Sequence, residues 1–300
     1  MTEMKAAAFA EYGPPEVLKI HTLPAPEAGP GQVRVRVKAA GVQPYDAAVR
    51  AGWIPPGVTG GLPRIPGNEF AGVVDQSDTL PVGTEVLGFT QLGAYAEYVV
   101  VDTGQVTPKP PGLPWEVAGG LTAGVQTAEI ALDNLGVGEG DTLLVHAAAG
   151  SVGTAAVQIA RMRGARVIGT ARPENHDYLR SLGAIPVEYG DGLLERVRRL
   201  GPVTAVLDGA GGEALKVSLD LVEDRSRILT LVEHGQAEAL GVRVTRGERS
   251  AERLARYAAL VAGGEMVFPV RRSYPLERAA DAHREIEARH GRGKIVIVVA

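Results

Sequence analysis

A chain of 300 residues with 45% hydrophobic and 22% charged residues has the composition of a folded protein and the length for two cores. Its formal charge of −4 argues against nucleic acid or an anionic membrane as partner, since either would select a basic surface. Cysteine is absent, which excludes disulfides, thiolate nucleophiles, iron–sulfur clusters and cysteine-bound zinc, and fits a reducing, cytoplasmic setting.

Met1–Gly13 has no basic stretch ahead of an apolar run, so no signal peptide is expected. No apolar stretch reaches the ~20 residues of a membrane span. The first third reads as strands and turns. Strands are expected at Lys5–Ala8, Val33–Ala39, Glu69–Val74, Glu85–Gly88 and Ala94–Val101. In Val33–Ala39 valine alternates with arginine or lysine, the period of a half-exposed strand. Proline and glycine gather at Pro24–Gly31 and Pro55–Gly67, which mark loops. Such a segment is a β-rich, barrel-like unit.

The character changes after Lys109–Pro114. Trp115–Leu135 reads as a helix, and strands and helices then alternate. Strands are expected at Thr142–His146, Arg166–Thr170, Pro186–Tyr189, Val203–Leu207, Arg227–Val232 and Val242–Thr245. Between and after them lie helices at Val152–Arg163, Asn175–Leu182, Leu193–Leu200, Glu213–Leu221 and Ala251–Ala262. That alternation predicts a doubly wound parallel sheet with helices on both faces. The tail offers a strand at Met266–Val270, a helix at Leu276–Arg289 and a buried strand at Ile295–Val299.

The sharpest signal is the run Leu143–Gly153, LLVHAAAGSVG, where an apolar strand passes through small residues into a helix. The fingerprint G-x-G-x-x-G falls on Ala148, Gly150 and Gly153, with alanine at its first position. Gly150 lets backbone approach a pyrophosphate, and Gly153 lets the helix start close to the strand. The helix start over Ala149, Ser151 and Val152 turns unpaired N–H groups and a positive dipole end toward the anion. The alternative is a small-residue turn without a ligand, but strand, turn, helix and second strand follow in the order a dinucleotide requires.

The second strand selects the dinucleotide. It ends Gly169-Thr170-Ala171-Arg172, and no Asp or Glu occurs from Thr142 to Pro173. A ribose-binding carboxylate is therefore missing where NADH would want one. Arg172 stands where a 2′-phosphate would lie, and a guanidinium binds phosphate bidentately. NADPH is the expected cofactor, with Thr170, Asn175 and Tyr189 as further contacts. Glu174, two positions on, is the residue that would instead favour NADH.

Further blocks occur in order: Ala39–Asp46 (AAGVQPYD), Pro66–Gly72 (PGNEFAG), Gly93–Tyr98 (GAYAEY), Leu121–Ala128, and Arg292–Val296 (RGKIV). Together with the cofactor bend they resemble the zinc-independent medium-chain dehydrogenases/reductases of the quinone oxidoreductase-like family, over essentially the whole chain. The resemblance implies a GroES-like catalytic domain over residues 1–120, an inserted Rossmann cofactor domain over 121–263, and a return to the catalytic domain over 264–300. It implies an active-site cleft between the domains. Gln43, Tyr45 and Asp46 fall on the loop that the family sets near the nicotinamide, with Tyr45 the expected donor to substrate oxygen. Asp46 is expected either to orient it or to cap a helix. Thr127, Asp208 and Gly209 match segments that lie against the cofactor, and Lys294 belongs to the closing block. Asp208 has a competing role as a turn residue. Glu69 is expected to be structural.

The sequence departs from zinc-dependent relatives. Asn68 takes the place of their histidine, and the six histidines have no paired ligand spacing and are expected to be surface or packing residues. No metal site is expected. Without a Lewis acid, hydride addition to a polarised C=C or to a quinone is the easier chemistry, with charge developing on the carbonyl oxygen. A small-molecule electrophile is thus the expected partner. Competing readings are a 2-enoyl-thioester reductase and a non-catalytic NADPH-binding sensor or structural protein. The loops Gly52–Leu62 and Glu233–Leu240 would shape specificity. The resemblance also implies a homodimer, paired through an edge strand at Val242–Thr245.

Overall fold

In the computed structural model, which describes residues 2–288 and 291–300, the chain opens with β1 (Glu3–Ala8) paired antiparallel to β2 (Lys19–Pro24). Hydrophobic patterning misses β2 because the strand buries no residue and so has no apolar face to mark it. Next come β3 (Gln32–Val42), α1 (Pro44–Arg50), β4 (Glu69–Ser77), β5 (Glu85–Phe89), β6 (Tyr98–Asp102) and β7 (Val106–Pro108). The alternation read in β3 holds: Val33, Val35 and Val37 are buried while Arg34, Arg36 and Lys38 are not. The strand expected from Ala94 starts only at Tyr98. Upstream of it, Ala94 and Tyr95 spend their N–H groups on the carbonyls of Gly67 and Pro66 instead of on a ladder.

The long helix α2 (Trp115–Leu135) follows as expected. Then come β8 (Thr142–Val145), α3 (Ser151–Met162), β9 (Arg166–Ala171), α4 (His176–Ser181), β10 (Ile185–Glu188) and α5 (Leu193–Arg198). The alternation continues through β11 (Ala205–Asp208), α6 (Glu213–Leu221), β12 (Ile228–Thr230), α7 (Ala237–Leu240) and β13 (Arg243–Val244). These six strands form one parallel sheet in the order β10-β9-β8-β11-β12-β13. The order reverses between β8 and β11, the place where open parallel sheets bind ligands beyond their strand ends. Leu144, Ile168, Val206 and Ile228, one from each central strand, are buried with Leu193, Val197 and Leu215 from the covering helices.

The chain closes with α8 (Ala251–Ala262), β14 (Val270–Pro275), α9 (Ala279–Glu287) and β15 (Lys294–Val298). The strand expected at Met266–Val270 lies later. Pro269 offers no N–H to a ladder, and pairing with β15 begins at Val270. The helix expected from Leu276 opens with a 3-10 turn at Leu276–Arg278, and its expected end at Arg289, like His290, lies outside the described residues. The late strands join the early ones in a seven-stranded sheet, β14-β15-β3-β4-β5-β7, with β6 also paired to β3.

The chain divides into two compact units, Met1–Ala123 with Arg249–Ala300, and Gly124–Glu248. The return begins at Arg249 rather than at residue 264, because α8 packs against β7 of the first unit. The first unit is the GroES-like sheet and the second the Rossmann-like one. Among the described residues no helix is long and apolar enough to cross a membrane.

Candidate active site

In the second unit, β8 ends at Val145 and the chain bends through His146–Gly150 into α3. Ala147 takes φ 57°, the one positive value among the described non-glycine residues. Its neighbour Ala148 donates its N–H to Thr170 O at 3.1 Å, tying the bend to β9. A Cβ on Gly153 would lie 2.5 Å from Ala147 O and 2.6 Å from Ala148 Cα, so only glycine lets α3 begin there. Gly150 is the N-cap residue in extended conformation, and no side chain caps the helix. The first-turn N–H groups at Ser151 and Val152 therefore keep their capacity for an outside anion, while Ala149 is buried beneath them. The bend sits beside the end of β11, where the sheet order reverses. Backbone, space and dipole all fit a dinucleotide diphosphate.

The residues around the bend divide into those that face outward and those that hold it in place. Arg172 and Tyr189 come together as expected: Arg172 Nε donates to the Tyr189 hydroxyl at 2.9 Å. Glu174 lies at the looser distance of 3.8 Å from Arg172. The Tyr189 contact, more than Glu174, keeps the guanidinium above its ordinary range, hence charged. Asn175 donates its backbone N–H to Arg172 O and leads into α4, and Thr127 is half-buried on α2.

Thr170 and Asp208 do not turn outward. The Thr170 hydroxyl contacts His146 Nδ1 at 3.2 Å, and His146 Nε2 meets the Ser218 hydroxyl at 3.1 Å. Ser218 already donates to Ala214 O, so it accepts from Nε2–H, and Nδ1 accepts from Thr170. Burial lowers the His146 pKa to about 4, so the ring stays neutral beneath the bend. Asp208 accepts from the N–H groups of Ala210 and Gly211 at 2.9 and 2.8 Å and from the Thr230 hydroxyl at 2.8 Å. It is the turn residue of the two roles weighed for it. Gly209, at this turn, is half-buried.

In the first unit the expected loop becomes the start of α1. Asp46 is fully buried, and its carboxylate accepts from Gln43 N and the Tyr95 hydroxyl, both at 3.0 Å, and from Gly67 N at 3.1 Å. Of the two roles weighed for it, the structure shows the cap: it starts the helix and fixes Tyr95, and none of its hydrogen bonds goes to Tyr45 directly. Burial pushes its pKa up to about 7, with Lys294 opposing. Tyr45 instead packs edge-on to Trp53, ring centroids 5.3 Å apart, and burial raises its pKa to about 12. Its hydroxyl is therefore a proton-bearing donor at neutral pH.

Lys294, expected among the cofactor contacts, is paired within the first unit. Its ammonium lies 2.6 Å from Glu69 Oε1, and both side chains are at most 2% exposed. Glu69 Oε2 accepts from Ala123 N at 2.6 Å, and its carboxylate overlies Gly41 so closely that any side chain there would collide. Gln43 Nε2 donates to Asn68 Oδ1, and Asn68 O accepts from Arg249 Nη1 at 3.0 Å. Composition gave no hint of Arg249, Asn68 or Tyr95 as neighbours of Gln43–Asp46. Each is brought there by a long-range contact.

No cluster of three His, Asp or Glu side chains placed to hold a metal occurs among the described residues. The position a zinc ligand would take is an amide pair, Gln43–Asn68, next to carboxylates already matched by Lys294, Tyr95 and backbone N–H groups. These donors do not fit zinc.

Comparison with known proteins bears on both units. Residues 29–111 match the alcohol dehydrogenase GroES-like domain, and residues 182–297 match a family described as zinc-binding dehydrogenase. The chain is 31% identical to a quinone oxidoreductase of Pseudomonas aeruginosa over 98% of its length and 99% of that protein. It is 30% identical to an NADPH-dependent alkenal/one oxidoreductase of Arabidopsis thaliana, covering 98% of this chain and 79% of the relative. Among solved structures, the quinone oxidoreductase of Coxiella burnetii superposes with a TM-score of 0.90 at 30% identity, covering 100% of both chains.

Proposed function

The chain belongs to the quinone oxidoreductase-like medium-chain dehydrogenases/reductases, oxidoreductases that use a nicotinamide cofactor, and from that premise we propose that it is an NADPH-dependent reductase of quinones or α,β-unsaturated carbonyls that works without zinc. The observation that carries this reading is the uncapped start of α3 at Gly150–Gly153, followed by an exposed guanidinium at the end of β9. Relatives named for quinones and for alkenals and enones support the acceptor class.

On this reading the N–H groups at Ser151 and Val152 bind the diphosphate, and Gly153 keeps the helix start close enough to do so. Arg172, steadied by Tyr189, receives the 2′-phosphate. NADPH, when bound, would supply a hydride to the acceptor carbon conjugate to a carbonyl, whose oxygen would take up the displaced π electron pair. Tyr45 donates to the oxygen as charge builds there, and its raised pKa keeps the donated proton on the phenol. Asp46 acts at one remove: it starts α1 and so fixes where Tyr45 stands. Zinc has no part on this reading, because Gln43 and Asn68 offer amides in place of the imidazole, thiolate or carboxylate donors that hold zinc. A homodimer belongs to the proposal too, formed through β13, the last strand of its sheet; sedimentation at twice the chain mass tests it.

Mixing the protein with NADPH and 1,4-benzoquinone, or with an enone, and following loss of the reduced-nicotinamide absorbance tests the function. Turnover undiminished by a chelator is expected. Tight NADPH binding with no turnover on any electrophile would instead make the protein a sensor.

A further inference from the structure

Arg249 is a cation of the first unit that the proposed chemistry leaves unused and that is tied to the Gln43–Asp46 loop through Asn68. Three local features fix it. It is the residue before Ser250, the N-cap of α8, whose side chain accepts from Arg253 N at 3.1 Å. It follows Gly247 and Glu248, where Gly247 at φ 146° turns the chain into the helix. Its Nη1 donates to the backbone carbonyl of Asn68 at 3.0 Å, and the Asn68 side chain is in turn held by Gln43. Arg249 and the Gln43–Asp46 loop are thus both tied to the same residue, from opposite ends of the sequence.

The contrast with the other buried cations of this unit is informative. Lys294 is matched by Glu69 at 2.6 Å, Arg50 by Glu287 at 2.5 Å and Lys109 by Glu85 at 2.9 Å, whereas Arg64, like Arg249, donates to a backbone carbonyl, that of Gly60, and among the described residues has no ion pair. Arg249 is partly buried, yet among the described residues no carboxylate lies within ion-pair distance of it, and its single hydrogen bond goes to a neutral carbonyl. A guanidinium carries five N–H donors, so most of them have no protein acceptor. Burying a charge without a partner costs several kcal/mol, and a fold tolerates that where a ligand completes the site. Burial does draw the guanidinium below its ordinary range, while Glu69, Tyr45 and Asp46 draw it back up.

We infer that Arg249 is a second oxygen-binding catalytic residue, which with Tyr45 holds the acceptor's carbonyl oxygen and takes up the negative charge that forms on it. The acceptor class follows. A quinone carbonyl becoming a hydroquinone oxyanion, or an enone becoming an enolate, gains most from a fixed cation at that oxygen. The conversion balances simply: hydride adds to the conjugate carbon, the electron pair moves to oxygen, and a proton from water completes the reduced product. The inference takes its reaction from the proposed function, but its binding chemistry stands apart and is tested apart.

A phenol probes the oxygen site without any turnover. 4-Nitrophenol is planar, resembles a half-reduced quinone, and its absorbance reports ionisation of its oxygen. Bound to the wild-type protein, its ionisation midpoint should fall by about one pH unit or more relative to the free phenol. Arg249→Met should abolish that fall, and Arg249→Lys should keep part of it. With 1,4-benzoquinone, Arg249→Met should lower kcat by about 100-fold, the usual cost of one oxyanion donor, and leave NADPH affinity unchanged. A midpoint that does not fall in the wild type, or that falls equally in Arg249→Met, overturns the inference. If the midpoint shifts as expected but no quinone or enone turns over, the oxyanion site stands and the reductase reading fails. Normal turnover by Arg249→Met removes Arg249 alone.

Discussion

In the second unit the anion-facing bend is built from backbone. Its donors are the N–H groups at Ser151 and Val152, its shape comes from Gly153, and its one buried acid, Asp208, spends its carboxylate on Ala210, Gly211 and Thr230 within the same turn region. The first unit builds with side chains from distant places. Asp46 meets Tyr95, Glu69 meets Lys294, and Asn68 meets both Gln43 and Arg249. The difference teaches where each site is vulnerable. A backbone site fails when something is added to it, and a side-chain site fails when a partner is taken away.

The largest effect should come from taking away a partner. Lys294→Met leaves the Glu69 carboxyl group buried without its cation and with only the Ala123 N–H on its other oxygen. Breaking a buried pair from one side costs about 3–5 kcal/mol. Urea unfolding should register that loss, and the double variant Glu69→Gln/Lys294→Met should recover much of it. A single variant as stable as the wild type would mean that the ion pair is ornamental and that the two units do not differ as described.

Adding to the backbone site should cost less in stability but more in binding. Gly153→Val forces a side chain against Ala147 O and the Ala148 backbone, an overpacking penalty of about 1–3 kcal/mol. Because the strain falls on the bend proposed to hold the diphosphate, NADPH affinity measured by fluorescence titration should drop more than tenfold. Unchanged affinity would move the cofactor away from this bend.

These two substitutions also mark what the sequence could and could not reveal. The bend was legible because every part of it is contiguous, from Leu143 to Gly153, and glycine is demanded where no Cβ fits. Six parallel strands were legible because their apolar runs alternate with helical periods. The strand β2 was not, since it buries nothing, and Met266–Phe268 misled because apolar residues can be buried in a loop as well as in a strand. The first-unit cluster was half legible. Gln43, Tyr45 and Asp46 stand out in the sequence, but the residues they and their neighbours bond to lie far along the chain, and no local period encodes that Lys294 faces Glu69 or that Arg249 reaches Asn68. Thr170 shows the same limit within the bend, for its place at the end of β9 was right while its hydroxyl turns inward to His146.

A subtler contrast between the units is in pH. Asp46 rises from 3.8 to about 7 in the folded protein, mainly through burial, with Lys294 and Tyr95 opposing and Glu69 assisting. Between these values the native state holds a proton that the unfolded chain has released. Stability from this group is therefore full below the unfolded pKa and declines as pH rises toward 7, by at most about 1.4 kcal/mol per pH unit. Asp46→Asn imitates the protonated acid and does not titrate. Comparing urea midpoints at pH 5 and pH 8, the balance should move in favour of the variant by about 1 kcal/mol or more on going to pH 8. A gap that does not change with pH would mean that Asp46 is ionised throughout, like an ordinary carboxylate.

The smallest effect separates two ways of holding the 2′-phosphate. Arg172→Ala should raise the KM for NADPH about tenfold and leave NADH nearly untouched, because the lost donor meets only the phosphate. Tyr189→Phe removes the hydroxyl that accepts from Arg172 Nε but keeps the ring and the charge. The hydrogen bond is exposed to water, so it sits at the weak end of its kind and the NADPH KM should rise only about two- to threefold, again with NADH unchanged. If the two variants fall equally, Tyr189 rather than Arg172 makes the decisive contact. If both cofactors suffer together in either variant, this end of β9 does not read the phosphate, and Glu174 becomes the residue to test for a ribose of NADH.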